Sequence, residues 1–196
     1  MSYAYVGCRS TKERNARGKG LKVYEISETT GDWKEIQCLK TEENPSYQAM
    51  DLEEKYLYSV HGDFTKVSSY RILEDGRLEA LNTIDIGGKN PVFITPDRTN
   101  QYMVVAALQG GAVYVIRRNE DGTLGEIVTK VCMEGKKEGA ISFAHQCIWD
   151  QKKEYLFVVT QARLQGYGMV RVFRFDPADG SLTATDTYYS REYDEP

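Results

Sequence analysis

The sequence predicts an all-β fold built of β-propeller blades, four antiparallel strands to a blade, and three sets of landmarks predict it. The turn signals TGDW, DGRL, DGTL and DGSL put a glycine at 31, 76, 122 and 180. Each follows a strand-like run whose anchors, Tyr24, Tyr70, Ile116 and Phe173, are spaced 46, 46 and 57 residues apart. A second set, KYLYSV, QYMVVA and EYLFVV, starts from Tyr56, Tyr102 and Tyr155, spaced 46 and 53 residues apart. The third, ENPSY and KNPVF, places Asn44 and Asn90 46 residues apart. Landmarks of different chemistry that share one period define a structural repeat, and a unit of about 40–50 residues made of short strands is a propeller blade. A β-sandwich has no reason to repeat its turn chemistry at a fixed interval.

Within a unit, strand a (PSYQAM) is followed by strand b (KYLYSV), c (KVSSYRI) and d (RLEALNTI). The a–b turn carries an aspartate and polar residues (DLEEK, DRTNQ, DQKKE). The c–d turn carries Asp-Gly or Thr-Gly-Asp, residues that accept the positive φ of a tight hairpin. The opening SYAYVGC matches strand b, so the first blade lacks its strand a, and fifteen strands are expected in one propeller region with blades near 1–39, 40–84, 85–131 and 132–190. TYYSREYDEP ends where a further strand a is due.

Composition fits this reading and limits the function. The chain has 196 residues, 41% of them apolar and 28% charged, enough for a core without a disulfide or metal staple. A net charge of −4 argues against nucleic acid as a partner. Cys8, Cys38, Cys132 and Cys147 form no CxxC pair and have no histidine cluster nearby, so they read as reduced thiols of a cytoplasmic protein without a metal. No apolar run is long enough for a signal peptide or a membrane span. No cofactor is expected, and GKG at 18–20 lacks the spacing of a phosphate loop.

An open ring leaves unpaired sheet edges and apolar sheet faces, so the ring closes at four blades, or two chains share one ring, or the sequence is part of a longer protein. Tyr5, Val6, Phe173 and Phe175 are the residues expected on the open faces, where self-association through the propeller edges would cover them.

The segments YAYVGCRSTKERNARGKGLKVYEI, ENPSYQAMDLEEKYLYSVHGD, GGKNPVFITPDRTNQYMVVAALQGGAVYVIRRNEDGTLGE and FAHQCIWDQKKEYLFVV, taken in order with VRVFRFDPADGSL, resemble the seven-bladed lactonase family. That family holds propeller-type 6-phosphogluconolactonases and carboxymuconate-lactonizing enzymes. The resemblance runs through the whole chain but matches only about the first four of the family's seven blades. It implies a C-terminally truncated member.

Because b runs back against a, the d–a and b–c loops share one face and the a–b and c–d turns the other. The first loop set holds twelve Lys/Arg and ten Asp/Glu, the second five and fourteen, a net of +2 against −9. Such polarity would guide an anionic small molecule to the first face. Both histidines lie there. Hydrolysing a lactone needs a base for water, donors for the oxyanion and cations for the substrate's anionic group. The resemblance implies that His145, at the start of an inner strand, is that base, with Ala144 standing where the family has proline. Arg9, His61, Gln161 and Arg163 are the expected substrate contacts on the same face. Phe93 stands in place of the family's second-blade histidine, and Ala107–Leu108 in place of an Asn–Tyr pair. The resemblance thus implies a lactone hydrolase acting on an anionic sugar lactone, inactive as this chain alone because further site residues fall beyond Pro196. A carboxymuconate cycloisomerase and a non-enzymatic binding platform are the alternatives.

Overall fold

The computed structural model describes residues 2–190. Fifteen strands form four antiparallel sheets: β1 (Ser2–Gly7), β2 (Leu21–Ile26) and β3 (Trp33–Leu39); β4 (Pro45–Met50), β5 (Tyr56–His61), β6 (Lys66–Ile72) and β7 (Leu78–Asp85); β8 (Pro91–Pro96), β9 (Tyr102–Ala107), β10 (Ala112–Arg118) and β11 (Leu124–Cys132); β12 (Phe143–Trp149), β13 (Tyr155–Gln161), β14 (Met169–Asp176) and β15 (Ser181–Tyr189). Each sheet is a meander whose strand order follows the chain, so these are four propeller blades, the first of three strands. The segment from 191, expected to start a further strand a, lies outside the described residues.

Local chemistry makes the repeat. In the a–b turns Asp51, Asp97 and Asp150 each accept, through Oδ1, the backbone N–H groups four and five residues on: Lys55 and Tyr56, Gln101 and Tyr102, Glu154 and Tyr155. The carboxylate thereby sets the loop and starts strand b. In the c–d turns Asp75, Asp121 and Asp179 accept from the N–H two residues on, and the intervening glycines take φ of +77°, +85° and +77°.

The core lies between blades. One apolar cluster fills each of the three junctions: Leu21 and Val23 against Leu57, Tyr70 and Leu78; Tyr58, Val60 and Val67 against Ile94, Met103, Val105 and Ile116; Tyr102, Val104 and Val115 against Leu156, Val158, Phe173 and Phe175. The anchors Tyr70, Ile116 and Phe173 thus each pack into the preceding blade. A second contact repeats as well. Tyr3, Tyr56 and Tyr102, at the start of strand b, lie against the turn glycine of the following blade, Gly76, Gly122 and Gly180, closely enough that a Cβ there would overlap the ring. The Tyr5 and Tyr58 hydroxyls donate to the Gly76 and Gly122 carbonyls, both at 3.0 Å, and Thr129 Oγ1 does so to Gly180. On the outer strands Gln37 bonds both the N–H and the C=O of Leu78, and Asn82 does the same to Leu124.

This register corrects the expected open faces. Tyr5 is turned into the first junction, and Phe173 and Phe175 are buried in the third. Successive side chains of a strand point to opposite sheet faces, so a slip of one residue exchanges inside for outside. Val6, 37% exposed, does lie on an open face, with Tyr24 and Trp33 beside it. At the other end Tyr155 and Phe157 occupy the positions of Tyr56 and Tyr58.

Candidate functional site

All three inner strands carry one β-bulge at the same place. Pairing passes from Pro45↔His61 to Tyr47↔Val60, from Pro91↔Ala107 to Phe93↔Ala106, and from Ala144↔Thr160 to Gln146↔Val159. The unpaired residues are Ser46, Val92 and His145, each five before the turn aspartate. A bulge breaks the strict alternation and re-aims a side chain. Here it sets the bulge residue beside Tyr47, Phe93 or Gln146 on the inner wall. Tyr47 and Phe93 meet across adjacent blades with ring centroids 4.7 Å apart. His145 and Gln146 are both exposed, and the His145 ring forms no hydrogen bond or ion pair among the described residues.

Gln161 and Arg163 lie on the same blade as His145. Gln161 closes β13 opposite Phe143, and its side-chain oxygen is buried without a hydrogen-bond partner among the described residues. Arg163 stands exposed in the following loop. That loop is tied to the segment entering β12: Ser142 Oγ donates to the Glu134 carbonyl and accepts from Tyr167 N–H, and Lys136 N–H donates to the Gln165 carbonyl.

Arg9 and His61 form a second group on the same face, around blades one and two. Asp63 holds the guanidinium groups of both Arg9 and Arg14 and accepts from Asn44 Nδ2 at 3.0 Å. Arg9 lies against Gly62 alongside Ser46, the counterpart of His145, so this pair sits at the same level of the inner wall. Hydrogen bonding to Arg14, with Arg9 adding to it, holds the Asp63 carboxyl below the usual carboxylate range. The expected cation is therefore a partly neutralised cluster: two guanidinium groups share one carboxylate. Asn44 Oδ1 accepts from Ser10 and Thr11 N–H, and Asn90 Oδ1 accepts from Asp63 N–H, so each asparagine pins the b–c loop of the preceding blade.

His61 is placed differently from the expectation of a substrate contact. It is fully buried; Nδ1 donates to the Glu43 carbonyl and Nε2 accepts from Ser68 Oγ, which accepts in turn from Thr83 Oγ1. In this arrangement it ties the d–a loop to strand c and offers no free nitrogen. Burial lowers its pKa from 6.5. The unfolded chain then takes up the proton first as the pH falls. Stability is full above the unfolded value and is lost as the pH falls through the folded one. We expect the thermal midpoint to drop between pH 7.5 and 5.5, and His61→Gln to flatten that slope; an unchanged slope in the variant, followed by circular dichroism, would refute the assignment.

Asp63 and Gln146 were not singled out from the sequence. The 46-residue spacing of Asn44 and Asn90 marked a shared role without revealing it. No group of three His, Cys, Asp or Glu able to hold a metal occurs among the described residues, and none of their helices is long and apolar enough to cross a membrane.

Four radial blades, three of them with bulged inner strands, around a common wall define a β-propeller with its candidate site at the hub. Residues 3–195 match the family model of the seven-bladed β-propeller lactonases, and the chain belongs to that family. It is 24% identical over 190 residues to a 6-phosphogluconolactonase of Bacillus subtilis, covering 94% of this chain and 52% of that protein. It is 24% identical over 153 residues to a 6-phosphogluconolactonase of Formosa agariphila, covering 72% and 42%. The chain thus spans about half the length of the curated relatives it matches. Among solved structures, the periplasmic gluconolactonase of Pseudomonas aeruginosa superposes with a TM-score of 0.71 at 18% identity, over 99% of this chain and 70% of that one. A Lactobacillus plantarum protein superposes with a TM-score of 0.64 at 16% identity, over 99% and 69%.

Proposed function

We propose that the chain serves hydrolysis of an anionic sugar lactone, with His145 as the general base. The observation that carries this is the bulge at 145, which leaves an exposed imidazole without a partner at the same level as the Arg9 cluster. His145 takes a proton from water, and the hydroxide formed adds to the lactone carbonyl. The tetrahedral oxyanion collapses with cleavage of the ring C–O bond, and the departing oxygen receives the proton back. The Tyr47–Phe93 pair offers an aromatic shelf for the apolar side of a sugar ring, and Arg163 and Arg9 offer guanidinium groups to its phosphate or carboxylate. The relatives named 6-phosphogluconolactonase support the same substrate class. Because the chain spans half their length, these blades supply the base and part of the anion site, and turnover by the 196-residue chain alone is expected to be at least about 100-fold below that of the Bacillus subtilis relative.

Titrating the chain with the product, 6-phosphogluconate, tests this by NMR. The His145 ring resonances should move at millimolar ligand while those of His61 stay, and His145→Ala should abolish the response. Shifts that spare His145 would overturn the assignment of the base. A response to a carboxylated muconate but none to 6-phosphogluconate would move the protein to the cycloisomerases. Turnover equal to the relative's would overturn the expected inactivity.

A further inference from the structure

Gly62 is a glycine kept for space. Its φ lies outside the left-handed region, so its backbone is open to other residues. Yet a Cβ there would stand 2.8 Å from Ser46 Oγ and 3.1 and 3.2 Å from the two Nη atoms of Arg9. The backbone is pinned against making room: Gly62 N–H donates to the Asn44 carbonyl at 2.9 Å, and the Gly62 carbonyl accepts from Asn44 Nδ2 at 3.2 Å. The missing side chain is therefore what seats the Arg9 guanidinium on the wall. Ser46, the bulge residue of its blade and the counterpart of His145, lies at the same seat; its Oγ is buried without a hydrogen-bond partner among the described residues.

The seated guanidinium keeps donors to spare. Arg9 reaches Asp63 through Nη1, and Arg14 reaches it through Nε and Nη2, so Arg9 Nη2 and Arg14 Nη1 have no hydrogen bond among the described residues. The Arg9 side chain is 35% exposed. Two guanidinium groups against one carboxylate leave the cluster with a net positive charge, and N–H groups from both suit an anion with several oxygens. The cluster belongs to blades one and two, whereas His145 stands on blade four. An anion held by Arg9 is then not the carboxyl that hydrolysis creates, which forms at the base. In a sugar lactone that carboxyl is masked as the ester, so the charge must come from a group at the other end.

We propose that the Arg9 seat takes the phosphate of a phosphorylated sugar lactone, with Gly62 the positioning residue that admits Arg9 to the wall. The ligand then lies along the inner wall, its phosphate at blades one and two and its lactone carbonyl toward blade four. This rests on the reading of His145 as the base. The Tyr47–Phe93 pair underlies the sugar between the two ends. Arg163, on the blade of His145, is left for the carboxylate of the product.

Calorimetric titration of the full chain with 6-phosphogluconate and with gluconate tests the proposal. The wild type should prefer the phosphorylated acid by about tenfold. Gly62→Ala and Arg9→Ala should each remove most of that preference while gluconate binds as before. The double variant should lose no more than either alone, because both act through one guanidinium. Only the ends of flexible side chains need yield to the new methyl group, so the thermal midpoint of Gly62→Ala should stay within about 3 °C of the wild type. An unchanged preference in Gly62→Ala would overturn the proposal, as would a parallel loss of both ligands. The reading of His145 fails separately: the preference would then follow Gly62 while neither ligand moved the His145 ring resonances.

Discussion

Gly122→Ala is expected to destabilise the chain by about 4 kcal/mol, the same substitution at Gly31 by about 1 kcal/mol. Both glycines sit in the left-handed region, at φ of +85° and +74°, so the backbone cost of an alanine, about 1 kcal/mol, is common to the pair. They differ in their surroundings. A Cβ on Gly122 would stand 2.1 Å from the Tyr56 ring, in a junction where Tyr58 also bonds the Gly122 carbonyl, whereas one on Gly31 meets nothing within 4 Å among the described residues. Relieving that overlap means moving an aromatic ring out of a packed junction, and overpacking of this kind costs about 1–3 kcal/mol beyond the backbone term. For a domain of this size each kcal/mol moves the thermal midpoint by roughly 2–4 °C. Differential scanning calorimetry should therefore find a drop of roughly 10 °C for Gly122→Ala and only a few degrees for Gly31→Ala. Equal drops would mean that the contact between blades contributes little and that the turn alone accounts for the glycine.

The contrast also shows what the sequence makes legible. Turn glycines and turn aspartates act within four or five residues of themselves, so their spacing alone revealed four blades and fifteen strands. Which side of each sheet meets which neighbour was not legible, and Tyr5, Phe173 and Phe175 were placed on the wrong faces. A blade flanked by two others is buried on both faces, so its middle strands are apolar at consecutive positions, as in YMVVAA and AVYVI, and alternation carries little information. Among site residues, His145 could be singled out because it falls at the entry to an inner strand, where the family resemblance implies a histidine. That Ser46, Val92 and His145 are bulge residues could not, since a bulge is a property of the pairing and not of one strand. The clamp of Arg9 and Arg14 on Asp63 joins positions 54 and 49 residues apart on different blades, a distance at which no local pattern speaks.

Asn44→Ala should have a comparable effect on stability and a larger one on the site. The side chain is fully buried at the first junction, where its carbonyl accepts from Ser10 and Thr11 N–H at 2.8 and 3.2 Å. Its amide donates to Asp63 Oδ2 at 3.0 Å and to the Gly62 carbonyl at 3.2 Å. Truncation leaves two backbone donors without a partner, at about 1–3 kcal/mol for each one that stays buried, and it places alanine at a φ of +52°. A total loss of about 4 kcal/mol follows, visible as a lower urea midpoint at unchanged slope. Asn90→Ala, which removes one bond to Asp63 N–H, should cost about half as much. Asn44→Asp separates the two functions of the carboxamide. It keeps the acceptor for Ser10 and Thr11 but replaces a donor to Asp63 with a second carboxylate. Asp63 must then share Arg9 and Arg14 with a like charge, so its carboxyl titrates at higher pH and its grip on Arg9 slackens. This carboxylate stabilises the fold above its unfolded value near 4, and the contribution is lost as the pH falls through the folded one. Acid unfolding of Asn44→Asp should accordingly begin at higher pH than in the wild type, with 6-phosphogluconate bound at least several-fold more weakly at pH 7. If the aspartate variant matched the wild type in both respects, Asn44 would be a loop staple alone and the Arg9 cluster would not depend on it.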